Sequence, residues 1–152
     1  MAKVEEPAAD QITIRDQLVA GTIRLIDEDG LGDLSVRRLA TASGRSTMCL
    51  YTKFGSRLGL LEAVHEYLGN DLLASIDADD PEAAFSRYVE AHPRRYTFLV
   101  EVDPELLGMT PSRRADFVAR LVATLGPGDP AAGRESLAMV HGQALLRQAT
   151  AG

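Results

Sequence analysis

A basic stretch near the middle of the chain combines side chains that bind phosphates with side chains that can contact bases. Residues 34–61 contain five basic residues and no acidic one, although the 152-residue chain has a formal net charge of −6. Hydroxyl side chains, a tyrosine, a methionine and the single cysteine lie among these cations. Cations attract phosphate, and hydroxyl or methyl groups can meet base edges in a groove. The alternative interpretation is a solvated helix surface with no ligand.

The rest of the chain is acidic, so any nucleic-acid contact must be local. Residues 1–33 carry three basic and eight acidic side chains, and residues 62–152 carry eight basic and fourteen acidic ones. A pI near 5.0 argues against a general nucleic-acid binder, but a basic face on an acidic body still attracts phosphate. The lone Cys49 excludes an intramolecular disulfide, and the first ten residues lack the apolar core of a signal peptide. We therefore expect a cytoplasmic protein that contacts no membrane.

The elements that position this stretch are predicted to be helices. Apolar residues recur at helical spacing, and glycines stand where several segments should end. Asp80, Thr110 and Asp129 each precede a proline, which places a capping side chain before a residue suited to the first helical position. No segment shows the sustained alternation of a strand. The pattern predicts an all-α protein of about eight helices, with a long fourth helix from Arg57 to about Ile76.

Two of these helices lie within the basic stretch and form a helix-turn-helix pattern. Ser35 can cap the first helix, Gly44 can end it, and Ser46 can cap a second helix of about two turns. Two short helices joined by a tight turn allow the second helix to enter the major groove of DNA. Leu39 and Leu50 are expected to face the core of this small unit.

The order of residues here resembles the DNA-binding domain of TetR-type (TetR/AcrR) transcriptional regulators. The resemblance covers roughly residues 12–72, and its matching positions are Ser35, Leu39-Ala40, Gly44, Ser46, Leu50-Tyr51, Phe54, Ser56 and Leu60-Leu61. It implies a three-helix DNA-binding domain over residues 1–56, which the long fourth helix joins to a helical dimerisation and effector-binding domain over residues 57–152. The second domain is unusually short, since it offers about four helices after the fourth where the family typically has five.

The resemblance also implies which residues contact DNA. Serines at the two helix starts would hold phosphates, Arg37 would reach a guanine edge, and the hydroxyl of Tyr51 would meet the DNA backbone. Arg57 matches a phosphate-binding lysine. With the neighbouring cations and hydroxyls added, the full set expected to contact DNA is Ser35, Arg37, Arg45, Ser46, Thr47, Met48, Cys49, Tyr51, Thr52, Lys53 and Arg57.

Three positions depart from the family pattern. Arg45 stands where a small aliphatic residue usually packs inside the turn, and because an unpaired buried guanidinium is costly we expect it to reach outward, towards a phosphate. Met48 replaces a small residue and suits contact with a thymine methyl group. Lys53 replaces a histidine and stays charged at neutral pH. Cys49 is interpreted as a small side chain near DNA, with a redox-sensitive thiol as the alternative.

The second domain is expected to dimerise through helices over residues 111–126 and 135–152, unless these helices only close a monomeric core. A small hydrophobic effector is a further possibility that the resemblance raises. Its candidate lining is Tyr88, Tyr96, Phe98, Leu99, Met109, Phe117 and His141, although an ordinary core would contain the same residues.

The sequence favours no catalytic or metal chemistry. Glu62 and His65 form one Glu-x-x-His pair, whereas a di-iron carboxylate site needs two such pairs and two further glutamates, so His65 is expected at the surface or an interface. His92 is expected in a loop, and His141 either faces a pocket or partner or packs internally. No nucleophile–base spacing, glycine-rich phosphate loop or Cys/His signature is present. We expect no enzyme activity, cofactor or metal.

These inferences predict a sequence-specific, homodimeric DNA-binding regulator, a repressor that a small molecule releases from a palindromic operator. The alternative is a helical dimer that binds a small ligand or a protein partner and has lost specific DNA binding.

Overall fold

The computed structural model describes residues 12–151. Residues 1–11, which bear on the predicted lack of a signal peptide, and Gly152 lie outside the described residues. The described part contains no strand and forms eight α-helices, as the sequence predicts. They are α1 (Ile14–Asp29), α2 (Val36–Ala42), α3 (Thr47–Phe54), α4 (Arg57–Ser75), α5 (Pro81–Ala91), α6 (Pro93–Tyr96), α7 (Pro111–Leu125) and α8 (Pro130–Thr150). A π-helical turn (Thr97–Glu101) extends α6, and a 3-10 turn (Pro104–Leu107) precedes α7.

Most helices begin at the capping residues expected from the sequence. Thr13 forms a capping box with Asp16, whose backbone N–H donates to the threonine hydroxyl at 3.1 Å. The carboxylates of Asp80 and Asp129 accept backbone N–H groups at the starts of α5 and α8, each at 3.0 Å. The prediction for Thr110 is wrong in this detail, because its side chain makes no capping hydrogen bond. Pro111 supplies the fixed φ of the first turn there, and this suffices to begin α7.

The first three helices and the start of α4 pack around a shared apolar centre. Leu18 and Ile26 of α1 meet Leu39 of α2 and Leu50 of α3, and all four side chains are fully buried. Leu60 and Leu61 of α4 close this centre. Burying a leucine or isoleucine side chain stabilises a fold by about 1.5–3 kcal/mol, so these contacts hold the short helices α2 and α3 in place.

The second part of the chain packs its aromatic residues into the same continuous core. Six of the seven residues considered for an effector pocket are buried: Tyr88, Tyr96, Phe98, Leu99, Met109 and Phe117. The ring of Tyr96 stands edge-on to Phe85, with 5.8 Å between centroids. His141 is half-buried, and its Nδ1 lies 2.9 Å from the hydroxyl of Tyr96. The ordinary-core interpretation therefore describes these side chains in this structure.

His65 corrects the expectation of a surface or interface histidine. Its side chain is buried in α4 between Phe98 and Phe117, and its Nε2 lies 3.4 Å from the carbonyl oxygen of Leu99. Burial lowers the pKa of His65, because the charged imidazolium is poorly solvated there. His92 ends α5 beside Tyr88, at 5.0 Å between ring centroids, which agrees with the expected connecting position.

Candidate nucleic-acid interface

The helix α3 presents one apolar face to the core and one mixed face to solvent. Leu50 is fully buried and Phe54, one turn later, is half-buried. The opposite face is exposed, and 71% of Met48 and 50% of Tyr51 are accessible. The exposed residues of this helix and its cap are Ser46, Thr47, Met48, Tyr51, Thr52 and Lys53. We call these six residues the α3 outer face. Met48 and Tyr51 are three positions apart, so their exposed side chains adjoin on this face.

An arginine from α1 holds the end of α3. The guanidinium of Arg15 lies 4.4 Å from the ring centroid of Phe54 and donates to the carbonyl oxygen of Lys53 at 3.2 Å. Arginine at the negative end of a helix, stacked on an aromatic ring, stabilises that end. Sequence reasoning missed this residue, since nothing in the local pattern around position 15 indicates a partner 38 residues away.

Two glycines allow the helices of this unit to approach closely. A Cβ at Gly21 would lie 2.6 Å from the Cα of Ser43, in the turn between α2 and α3. A Cβ at Gly59, in the first turn of α4, would lie 2.2 Å from the carbonyl oxygen of Phe54. Both distances are shorter than any real contact, so a side chain at either position would displace the turn or α3.

The two arginines of α2 have different surroundings. Arg38 forms ion pairs with Asp29 and, at 3.7 Å, with Asp33, so much of its charge is neutralised within the chain. Arg37 is exposed, and no acceptor holds its side chain among residues 12–151. Of this pair, Arg37 is therefore the cation that remains available for an external anion or base edge.

Arg45 and Arg57 each donate hydrogen bonds to other groups of the same chain. The Nε of Arg45 donates to Oε1 of Gln17 at 2.7 Å, and the residue is half-buried beside α1. Arg57 donates from Nε to the carbonyl oxygen of Leu34 and from Nη1 to that of Leu107 at 3.3 Å. The predicted phosphate contacts of both residues stay predictions. In this structure Arg57 connects the helix-turn-helix unit to the second part of the chain.

The serine hydroxyls at the starts of α2 and α3 accept hydrogen bonds from backbone N–H groups of their own helices. The hydroxyl of Ser35 accepts the N–H of Arg38, and that of Ser46 accepts the N–H of Cys49 at 3.3 Å. The Ser46 hydroxyl also lies 3.4 Å from Sγ of Cys49. This hydrogen bond lowers the pKa of the thiol, and the charges of Arg45 and Lys53 act in the same direction.

Comparison with known proteins agrees with this geometry. Residues 18–64, which span most of α1, the helix-turn-helix and the first half of α4, match the family model described as bacterial regulatory proteins, tetR family. This part of the chain is therefore similar to the DNA-binding domain of the tetR family. The resemblance seen in the sequence is thereby confirmed, and the matched region contains every residue implied to contact DNA.

Named relatives in this family are transcriptional regulators rather than enzymes. The chain is 33% identical over 85 residues to the HTH-type transcriptional regulator BetI 2 of Chromohalobacter salexigens, a match that covers 51% of this chain and 41% of that protein. The chain thus spans about two fifths of the length of the BetI relatives that it matches.

Solved structures of TetR-family regulators share the fold. One from Marinobacter aquaeolei VT8 aligns with a TM-score of 0.57 at 21% identity, over 74% of this chain and 64% of that one. The TetR-family transcriptional regulator PfmR from Thermus thermophilus aligns with a TM-score of 0.53 at 25% identity, over 85% of both chains. The all-α helix-turn-helix architecture is therefore the TetR-family fold.

Residues 12–151 lack the features of two other kinds of site. They contain no group of three or more His, Cys, Asp and Glu side chains that could hold a metal ion. None of their helices is both long and apolar enough to cross a bilayer.

Proposed function

We propose that this chain is a homodimeric transcriptional regulator of the TetR family that places α3 in the major groove of a palindromic operator and represses transcription from it. The observation that carries the proposal is the α3 outer face, which is polar, tyrosine-bearing and exposed, on a helix fixed from behind by Leu50 and Arg15. A recognition helix needs this combination, because base contacts gain specificity only when the helix does not move. A bacterial regulator of this kind acts in the cytoplasm, where the DNA lies.

The α3 outer face, with Arg37 of α2 and Cys49 beside it, divides by chemistry into base-reading and phosphate-binding groups. Arg37 suits guanine, to which an arginine donates two hydrogen bonds, and Met48 suits a thymine methyl group. Each such contact discriminates against a wrong base by about 1–3 kcal/mol. Tyr51 and Lys53 reach towards the backbone, and Thr47, Thr52 and Cys49 provide small contacts in the groove.

Dimerisation is proposed through α7 and α8. Met139, Gly142 and Leu146 follow one another at spacings of three and four residues on α8, and 49% of Met139 and 67% of Leu146 are exposed. A Cβ placed on Gly142 would meet no atom within 4 Å, so the helix surface is open there. An apolar stripe with a glycine at its centre permits a second helix to approach closely, and two protomers present two recognition helices to a two-fold operator.

Release of the operator by a small molecule is the finer part of the proposal. A ligand weakens DNA binding only if it prefers a conformation in which the two recognition helices are wrongly spaced. The aromatic residues considered for its site, such as Tyr96 and Phe98, are packed in this structure. A ligand would have to separate them, which predicts slower binding than at an open site. The long α4, which carries Arg57 at one end and His65 at its centre, would transmit the change.

Selection of bound sequences from random duplex DNA tests the core of this proposal. We expect the wild type to enrich a palindrome and the double variant Arg37→Ala/Tyr51→Phe to enrich none. A Tyr67→Phe variant provides the matched control, since Tyr67 is also an exposed tyrosine but lies on α4. No enrichment by the wild type at low salt would contradict DNA recognition.

Retention on bulk DNA or heparin at several salt concentrations tests the alternative of a ligand- or partner-binding dimer. If retention of the wild type on bulk DNA or heparin does not change with salt, the basic residues neutralise no phosphates. That outcome, together with a stable dimer in solution, would favour the alternative.

A further inference from the structure

A cleft lies beside the helix-turn-helix turn, between that turn and α1. It has a volume of about 620 Å³ and is lined by Ile12, by Gln17, Ala20 and Arg24 of α1, and by residues 41–45 at the end of α2 and in the turn after it. Two arginines and no carboxylate line it. The chain has a formal net charge of −6, yet every charged side chain that lines this cleft is positive.

Both arginines keep most of their hydrogen-bond donors available. Arg24 donates from Nη1 to the carbonyl oxygen of Ala42 at 3.2 Å, and Arg45 donates from Nε to Gln17 at 2.7 Å. Neither forms an ion pair within residues 12–151. A guanidinium has five N–H donors, so each can bind an anion without giving up the bond that positions it. The internal bonds instead orient the two groups along the cleft.

We propose that this cleft binds backbone phosphates of DNA through Arg24 and Arg45. The inference rests on the proposed DNA binding and adds to it a phosphate site formed by α1 and the turn. Arg45 is held at Gln17, and Arg24 lies seven positions further along α1. Seven positions span about 10.5 Å along a helix. One small anion would meet only one of these guanidiniums, whereas a DNA strand carries a phosphate every ~3.4 Å of helix axis and can meet both.

The site also explains the departure of Arg45 from the family pattern. The aliphatic residue usual at this position would pack in the turn, whereas Arg45 is half-buried there and donates from its guanidinium to Gln17. The neutral Gln17 orients the arginine without neutralising it, as an aspartate or glutamate would. The full positive charge therefore stays available to an external anion.

The salt dependence of DNA binding tests this inference. Each neutralised phosphate contributes roughly 0.9 to the slope of log K against log salt concentration. Arg24→Gln and Arg45→Gln should each lower the magnitude of the slope by about 0.9 per protomer, and the double variant by about 1.8. The change should be the same on the selected operator and on a duplex of unrelated sequence, because phosphate contacts carry no base information. Arg134→Gln, at an exposed arginine of α8, is the control and should leave the slope unchanged.

A charge-preserving variant separates phosphate binding from support of the turn. Arg45→Lys removes the guanidinium geometry but keeps the cation, so it should retain the wild-type slope while Arg45→Gln loses about 0.9. Thermal unfolding of each variant, followed by circular dichroism, checks that the turn remains folded. If both Arg45 variants lose the same slope, Arg45 positions the turn and the inference is overturned.

A second measurement separates failure of this inference from failure of DNA binding. Inorganic phosphate is titrated into the wild type and the double variant while the arginine Nε–Hε resonances are followed by NMR. If the wild type binds DNA but neither substitution changes the salt slope, the phosphate-site inference is overturned and the proposed DNA binding is not. Wild type that binds no duplex overturns both proposals. Saturable binding of inorganic phosphate with unchanged DNA slopes would assign the cleft to a free anion and refute its assignment to DNA.

Discussion

The contact between Gly59 and the end of the recognition helix provides a strong test of how this unit is assembled. In Gly59→Ala the new Cβ would stand 2.2 Å from the carbonyl oxygen of Phe54 and 3.2 Å from its carbonyl carbon. Close carbon–oxygen contacts are about 3.3 Å, so α3 and α4 would have to separate by roughly 1 Å. The obstacle is backbone, which no side-chain rotation can relieve.

The expected cost follows from two opposing effects. Overpacking of this kind typically costs about 1–3 kcal/mol. Alanine is favoured over glycine within a helix by up to about 1 kcal/mol, which offsets part of that cost. We expect a net loss of about 1–2 kcal/mol, equivalent to a fall in Tm of roughly 2–8 °C for a chain of this size. Because Phe54 ends α3, affinity for operator DNA should fall as well, even well below the Tm where the variant is folded.

Two assays measure the effect: thermal unfolding by circular dichroism at 222 nm, and binding of a labelled operator by fluorescence anisotropy. Gly32→Ala is the matched control, since Gly32 has no atom within 4 Å of its Cβ position and does not require a positive φ. That substitution should stabilise the protein slightly, by up to about 1 kcal/mol, and leave affinity unchanged. Equal Tm values for Gly59→Ala and the wild type would refute the close-packing argument.

Three further predictions concern other parts of the chain. The pKa of His65 is lowered below 6.5 in the folded state, so the unfolded chain takes up a proton at a higher pH than the folded chain does. The free energy of unfolding is therefore greatest above pH 6.5 and decreases as the pH falls towards the lower pKa of the folded state. Urea unfolding across this range should show the loss, and it should be smaller in His65→Gln. Arg15→Ala removes the support of Phe54 and should lower stability by about 0.5–1 kcal/mol and reduce operator affinity. An unchanged affinity would show that α3 is held without Arg15. Gly142→Gln should give a folded monomer in sedimentation velocity, since the protomer itself has space at that position. A dimer of undiminished stability would place the interface elsewhere.

Local sequence determined the elements of this protein and its resemblance to the TetR family. Caps such as Thr13, Ser46 and Asp129 act within three residues of themselves, so their pattern predicts where helices begin. The ordered positions from Ser35 to Leu61 likewise lie on consecutive short elements, which is why the helix-turn-helix and the TetR family could be inferred without coordinates. The division of the chain at residue 56 stays a prediction.

Only the tertiary structure decided which charged and polar groups are already engaged. Arg38 and Arg37 are adjacent and chemically identical, yet Asp29 and Asp33 neutralise only the first. The lone Glu62–His65 pair lacks the partners of a di-iron site and predicts a surface or interface histidine, and only the packing of Phe98 and Phe117 shows that the imidazole is buried. Arg24 and Arg45 lie 21 positions apart in the chain and share a cleft solely because α1 crosses the turn. Helix formation depends on neighbours in sequence, whereas the availability of a charge depends on neighbours in space, and long side chains meet partners that no local pattern specifies.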